Sequence, residues 1–296
     1  MNGLEVIERL AERPGGRELL DAATAREDLA LVGGAVRDLT LGRTPRELDV
    51  VVAGDAAELA AELAVRLPGN DGRMPQTTLH GHFRTASVEW SYGRIDIAER
   101  RAESYAQPGA LPDVRSGTIA EDLARRDFTV NAIAVSLGGS PRGHVDHVPH
   151  ALEDLAAGQL RVLHERSFRD DPTRLLRLAR YQARLRFKVE SRTAALAREA
   201  IASGALDTVS GGRIAAELWL ATEERDADAF ALLGELGALA ALSLPAQFDA
   251  SLLREARELE PPDGSSDILE MGILFHAPGE PAADGREAAA QLMERF

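Results

Sequence analysis

The amino-acid sequence predicts an α+β protein, a head built on a mixed β-sheet with helices, followed by an all-helical neck and body. Three observations carry this. Apolar runs alternate with a glycine turn and helical spacing over residues 29–67, β-rich segments bracket a Tyr92-Gly93 turn, and beyond about residue 150 the apolar spacing turns helical. The 296 residues suit two modules or one with an extension. A hydrophobic content of 45% is enough for a sizeable core, and an aromatic content of only 4% argues against an all-β sandwich.

The elements follow in order. Residues 1–28 read as one or two amphipathic helices broken at Pro14-Gly15-Gly16. Leu29 to Val32 is a short strand stopped by Gly33-Gly34, Ala35 to Leu41 fits two helical turns, and Leu48 to Val52 is a second strand. Ala56 to Leu67 has helix-forming composition. After the Gly/Pro/Asn-rich stretch from Pro68 to Pro75, Thr77 to Trp90 and Arg94 to Ile97 form a predicted hairpin about Tyr92-Gly93. Helices are then expected over 171–187, 191–202, 210–224, 227–236, 249–260, 266–276 and 281–295. This gives a head over 1–150, a neck over 151–225 and a short body over 226–296.

Composition excludes several classes. The chain has no cysteine, which removes disulfides, thiolate metal sites and thiol nucleophiles together. No apolar run approaches a membrane span, and Met1-Asn2-Gly3-Leu4-Glu5 lacks the basic-then-apolar pattern of an export leader. An unexported, cytoplasmic protein with no membrane partner and no obligate protein partner is expected.

The formal charge of −14 speaks against a polyanionic partner until it is divided along the chain. From 221 to the end there are 16 acidic and 5 basic residues, a net of −11, whereas 161–200 holds 11 basic and 5 acidic residues, a net of +6. Of the 34 basic residues only Lys188 is a lysine. Arginine's planar fork suits bidentate phosphate and base contacts, although GC-rich codon usage explains the same bias.

The segment from Gly33 to Asp49 is the most informative. If Glu47 and Asp49 lie on a strand, alternation puts both carboxylates on one face, where hard oxygens hold divalent cations. Beside a glycine turn with free amides, that pair suits phosphoryl or nucleotidyl transfer. The P-loop pattern is absent. By spacing alone, a Gly-Gly turn is an ordinary turn and Glu-x-Asp an ordinary solvated face.

The motif Leu31-Val32-Gly33-Gly34-Ala35-Val36-Arg37-Asp38, with Gly42-Arg43 and the acidic strand after it, resembles the head signature of class II tRNA nucleotidyltransferases and bacterial poly(A) polymerases. Glu121-Asp122-Leu123-Ala124-Arg125-Arg126-Asp127-Phe128-Thr129-Val130-Asn131-Ala132 is similar to that family's Arg-Arg-Asp-Phe-Thr-x-Asn-Ala block. Asp170-Asp171-Pro172-Thr173-Arg174-Leu175-Leu176-Arg177-Leu178-Ala179-Arg180-Tyr181 is similar to its nucleotide-selecting helix start, and Ser210-Gly211-Gly212-Arg213-Ile214-Ala215-Ala216-Glu217-Leu218 to its next motif.

The resemblance implies that Glu47 and Asp49 are catalytic and bind Mg²⁺ while an RNA 3′-hydroxyl attacks the α-phosphate of a nucleoside triphosphate. The family normally has Asp where this chain has Glu47. Asp96 is a candidate third ligand on a neighbouring strand, or an exposed strand residue. Gly33, Gly34 and Arg37 fall in the nucleotide-binding motif. Arg126, Asp127 and Asn131 look like ribose and triphosphate contacts, with a salt-bridged helix cap as the local alternative; Arg125 is equally well placed.

Asp171 and Arg174, three apart at a helix start, can converge on a base. A carboxylate accepts from the exocyclic amine of C or A, and a guanidinium donates to the adjacent ring nitrogen. U and G present a carbonyl there, at a cost on the order of 1–3 kcal/mol per lost partner. Asp171 as a helix cap ahead of Pro172 is an equally good local reading, and the second carboxylate oxygen lets both hold. Arg177, Arg180 and Arg184 continue along one helical face toward triphosphate or RNA, Arg213 is a weaker candidate of that type, and Leu218, Trp219 and Leu220 read as core.

Two other segments depart from the family. Phe83-Arg84-Thr85-Ala86 has Arg84 where relatives commonly have Gly, so either the turn is altered or a basic contact is gained. The connection Asp146-His147-Val148-Pro149-His150-Ala151-Leu152 lacks the usual Gly-Gly, and the spacing His144-x2-His147-x2-His150 has no Cys or clear carboxylate to complete a zinc site. No His-Asp dipeptide occurs, which argues against the phosphohydrolase domain that some relatives carry.

The function implied is CCA addition to the 3′ end of tRNA from CTP and ATP. The alternatives are CC-only, A-only or poly(A) addition, and an RNA-binding relative with weakened catalysis. The acidic region 221–296 is shorter than the body plus tail usual in the family, so a reduced or absent tail is expected.

Overall fold

The computed structural model describes residues 1–69, 74–81, 84–139, 141–224 and 228–244. Phe83 and the helices expected over 249–260, 266–276 and 281–295 lie outside the described residues. The chain forms two compact units, one comprising Met1–Ser104 and Pro112–Ala157, the other Tyr105–Leu111 and the chain from Gly158 onward.

The first unit opens with α1 (Gly3–Ala11), where the Asn2 side chain accepts from the Leu4 amide, and α2 (Gly16–Ala23). Pro14 and the left-handed Gly15 separate them, as their chemistry requires. Then come β1 (Ala30–Val32), α3 (Gly33–Thr40), β2 (Leu48–Val52) and α4 (Ala56–Arg66), the last capped by Asp55. Strands β3 (Gln76–His80), β4 (Thr85–Trp90) and β5 (Gly93–Glu99) form a meander. The run Thr77 to Trp90, which the sequence joins into one strand, is therefore two.

Arg84 sits at that break with φ 51°, the left-handed region that favours glycine. The backbone there takes a conformation that favours glycine, and the arginine side chain meets Glu99 (3.2 Å) and Ser116 Oγ (2.9 Å).

The unit continues through β6 (Arg101–Ser104), β7 (Asp113–Ser116), α5 (Ile119–Ala124), a 3-10 turn (Thr129–Asn131), β8 (Ile133–Ser136), β9 (Val145–His147) and α6 (Ala151–Ala157). Seven strands form one sheet in the order β3-β4-β5-β2-β1-β8-β9, with β2 and β5 parallel and the other neighbours antiparallel. Leu31, Val50, Ile95, Ile97 and Val135 have essentially no exposed surface, so the centre of the sheet is the core. That core fixes β2 and β5 side by side, in a register that pairs Asp49 with Asp96.

The second unit contains α7 (Ser167–Asp170), α8 (Thr173–Leu185), α9 (Ser191–Ala202), α10 (Gly211–Thr222), α11 (Asp228–Leu236) and α12 (Ala238–Ala241). Beside these helices its described part holds the irregular Tyr105–Leu111 segment and a small ladder in which Gln159–Leu160 pairs in parallel with Lys188–Val189. Phe168, Leu175, Leu178, Ala179, Leu218 and Phe230 are buried. Leu218 joins the core, whereas Trp219 and Leu220 are only half-buried. Among the described residues no helix is long and apolar enough to cross a membrane.

Candidate active site

The Gly33-Gly34 turn links β1 directly to α3. Gly33 has φ +67°, a backbone conformation that favours glycine, and a Cβ there would fall 2.6 Å from an Arg126 guanidinium nitrogen, which brings Arg126 against the turn. A Cβ on Gly34 would meet Arg37 and, at 3.8 Å, the Asp49 carboxylate. The turn, Arg126 and the carboxylate of β2 thus converge at one end of the sheet.

Glu47 precedes β2 instead of lying within it, because ladder pairing starts at Leu48 opposite Ile95. It is exposed, yet it acts electrostatically on Asp49. Burial, then the Glu47 charge, push the Asp49 carboxyl up to about 7; Asp96 adds to this, while Arg126 and Arg37 oppose it. Asp96 lies beside Asp49 on β5, where its Oδ1 accepts from Arg94 Nε at 2.7 Å. Among the described residues no group of three or more His, Asp or Glu is arranged to close around a metal, and that includes His144, His147 and His150.

Arg37 is almost wholly buried, at 1% exposure. Its guanidinium donates to both oxygens of Asp38, at 2.8 and 3.0 Å, and to Asn131 Oδ1. Asn131 in turn donates to Asp127 Oδ1 (2.9 Å), which also accepts from the Phe128 amide (2.8 Å). The two sequence blocks, 94 residues apart at Arg37 and Asn131, therefore meet in one buried network.

Arg125 and Arg126 share one partner that the sequence left unassigned. Asp122, with no exposed surface, accepts from Arg125 Nε and Nη2 (3.0 and 2.7 Å), from Arg126 Nη2 (3.0 Å) and from the Arg101 amide (3.3 Å). The helix carrying it starts in a capping box: Thr118 Oγ1 accepts from the Glu121 amide, and Glu121 Oε2 from the Thr118 amide. Arg125 then turns to Glu103 (3.1 Å) and Arg126 to Gly33, which separates two residues that the sequence alone leaves equivalent.

In the second unit Asp171 closes α7, and Pro172 instead of Asp171 is the N-cap of α8, so the cap expected from the sequence shifts by one residue. Asp171 Oδ1 accepts from the Thr173 amide (3.2 Å), Thr173 Oγ1 (2.7 Å) and Arg213 Nη2 (2.7 Å). Arg174 is buried and donates to Ser167 Oγ at 2.6 Å. Arg177 and Arg180 both reach Glu217, at 2.9 and 3.0 Å, and Arg184 reaches Glu224 at 2.6 Å. All three guanidinium carbons lie 5.2–5.7 Å from the Tyr181 ring centre.

Comparison with known proteins shows what the two clusters share with others. Residues 29–161 match the poly A polymerase head domain. Over 99% of its length the chain superposes on a CCA-adding enzyme in its apo form II, with a TM-score of 0.77 and 30% identity, covering 70% of that chain. The chain belongs to the tRNA nucleotidyltransferase and poly(A) polymerase family.

Within that family, it is 38% identical over 92% of its length to an A-adding tRNA nucleotidyltransferase of Halalkalibacterium halodurans, of which it spans 62%. It is 43% identical over 53% of its length to a CC-adding tRNA nucleotidyltransferase of Deinococcus radiodurans, of which it spans 41%. Nucleotidyltransferases of this family are metal-dependent. The residues here fit such an ion: Glu47, Asp49 and Asp96 offer hard oxygens, and burial followed by the neighbouring negative charges raises the Asp49 carboxyl, a cost that a bound cation would offset.

Proposed function

We propose that this chain adds C and A to the 3′ end of tRNA without a nucleic-acid template, using CTP and ATP and releasing pyrophosphate. The single observation that carries the transfer chemistry is the Asp49 carboxylate, flanked by Glu47 and Asp96, beside the glycine turn and Arg126. Glu47 and Asp49 would hold Mg²⁺, an ion that binds through one or two carboxylates plus substrate phosphates and so needs no closed protein cage. When bound it supplies Lewis-acid activation of the attacking hydroxyl and neutralises the leaving pyrophosphate.

The remaining roles belong to the chain. The 3′-oxygen forms a bond to the α-phosphorus as the bond from that phosphorus to the α,β-bridging oxygen breaks, pyrophosphate leaves with that oxygen, and the hydroxyl proton passes to solvent water. Gly33 and Gly34 offer amides and space to the triphosphate, with Arg126 set by Asp122 beside them. Arg37, Asp127 and Asn131 hold the shape of the ribose side of the site. Asp171 accepts from the exocyclic amine of the incoming C or A, with Arg174 beside it, which excludes U and G without a template. The Asp96 carboxylate, already engaged by Arg94, is a reserve ligand.

The A-adding and CC-adding relatives make the number and kind of nucleotides the quantity to measure. Purified protein, Mg²⁺ and a tRNA lacking its CCA terminus are incubated with CTP and ATP singly and together. C followed by A supports the proposal. A alone or C alone replaces it with the narrower activity, and an absence of extension by a protein that binds the RNA overturns catalysis.

A further inference from the structure

Arg213, on the first turn of α10, reads from the sequence as a cation for RNA, but its contacts lie inside the protein. Nη2 donates to Asp171 Oδ1 at 2.7 Å, and Nη1 donates to the Gly109 carbonyl at 3.0 Å. Gly109 belongs to the Tyr105–Leu111 segment of the same unit. It has φ +72°, and a Cβ there would lie 2.2 Å from Thr208 Oγ1 and 2.6 Å from the Thr208 carbonyl oxygen, so only glycine packs against Thr208 at this position.

Asp171 itself is unevenly satisfied. The Thr173 amide, the Thr173 hydroxyl and Arg213 all converge on Oδ1. Oδ2 takes no hydrogen bond among the described residues. A carboxylate at the end of its short side chain is a broad, nearly two-fold rotor, and the two hydrogen bonds from Thr173 alone leave that plane loosely set. A guanidinium anchored at its other nitrogen to a backbone carbonyl supplies a fixed third direction. One oxygen is thereby committed to the fold, and the other is left as an acceptor.

We propose that Arg213 is a positioning residue for base selection: it locks the Asp171 carboxylate so that Oδ2 alone meets the exocyclic amine of the incoming nucleotide. This rests on the reading of Asp171 as the base-selecting acceptor. Selectivity then depends on a residue that touches neither base nor RNA. An arginine to lysine change keeps a charge but not the two-ended bridge, so it restores only part of the effect.

The test is kcat/KM for ATP, CTP, GTP and UTP on a tRNA primer, with equilibrium binding of ATP and GTP as a readout independent of turnover. The variants are Arg213→Ala, Arg213→Lys, Asp171→Ala and the double Asp171→Ala/Arg213→Ala. Arg213→Ala is expected to lower the preference for A and C over G and U by at least about tenfold. Arg213→Lys should recover part of it, and the double variant should be no less selective than Asp171→Ala alone. Where melting shows Arg213→Ala unfolded, Arg213→Gln is read in its place.

Unchanged selectivity in Asp171→Ala overturns the base-reading assignment itself. Relaxed selectivity in Asp171→Ala with full selectivity retained in a folded Arg213 variant overturns the role of Arg213 alone. Loss of turnover equal for all four nucleotides in the Arg213 variants also overturns it, because a merely structural arginine has that signature.

Discussion

Asp122 shows how much a single buried carboxylate controls in the head. It has no exposed surface and takes hydrogen bonds from two arginines and a backbone amide; burial is the largest single effect and raises its carboxyl, but Arg126 and Arg125 together outweigh it and hold the group below the usual carboxylate range. Removing one member of such a buried set strands the others, at a typical cost of about 3–5 kcal/mol. Asp122→Ala is therefore expected to lower the unfolding free energy by about 3 kcal/mol in urea titration. A result within 1 kcal/mol of wild type, on that same scale, would mean that the arginines find other partners. The residue was legible: Asp122 precedes Arg125 and Arg126 by three and four positions, the spacing of neighbours on a helix. Arginines that read as phosphate contacts also need a counter-charge once they are largely buried. Glu47 is the converse case, assigned by resemblance and found just outside its strand. Glu47→Ala should reduce nucleotide incorporation on the order of 100-fold and Glu47→Asp should largely retain it, given the several kcal/mol that a metal contributes. Normal extension by Glu47→Ala would sink the metal assignment.

Helices with their own start signals were the most legible elements. The spacing predicts 191–202 for what is α9, and its N-cap Glu190 accepts from the amides of Arg192 (2.9 Å) and Thr193 (2.7 Å). Partial burial acts to raise the Glu190 carboxyl, but these amides, the Thr193 hydroxyl and Arg161 overcome it and hold the group below its ordinary value. A depressed carboxyl means that the folded state binds fewer protons than the unfolded one. The stabilisation is thus complete above the unfolded value of about 4.3 and is lost as pH falls through the folded one. Glu190→Gln should therefore melt below wild type at pH 7, by about 1 kcal/mol in stability, with the gap narrowing toward pH 3. A gap independent of pH would assign the difference to packing. The elements missed are those with no pattern of their own. The ladder of Gln159–Leu160 with Lys188–Val189 has only two residues a side, so its partner defines it, and the break between β3 and β4 hides behind an arginine in a glycine conformation. Thr118 and Glu121 do form a readable capping box, and α5 was nonetheless absorbed into its motif.

At the scale of the whole molecule, the basic stretch over 161–200 marks an interior seam as much as a surface. Arg177, Arg180 and Arg184 recur at intervals of three and four on α8, and Glu217 and Glu224 lie seven apart across from them, so the two patterns interlock. Half of that complementarity was legible as a stripe of arginines. The other half required knowing which helix packs opposite, which sequence spacing does not supply. The local excess of +6 therefore overstates the charge available to RNA, since Glu217 and Glu224 lie outside the stretch that was counted. A cation that meets an RNA phosphate contributes about 0.7 to the dependence of log affinity on log salt for a single strand, through the counterion it releases. Arg184, 20% exposed with two nitrogens on Glu224, is expected to contribute less than half of that. Arg184→Gln should accordingly shift tRNA affinity almost equally at low and high salt while lowering the melting temperature through the loss of Glu224's partner. A slope that falls by the full value with stability unchanged would instead place Arg184 on the RNA, with Glu224 as its resting partner in the free protein.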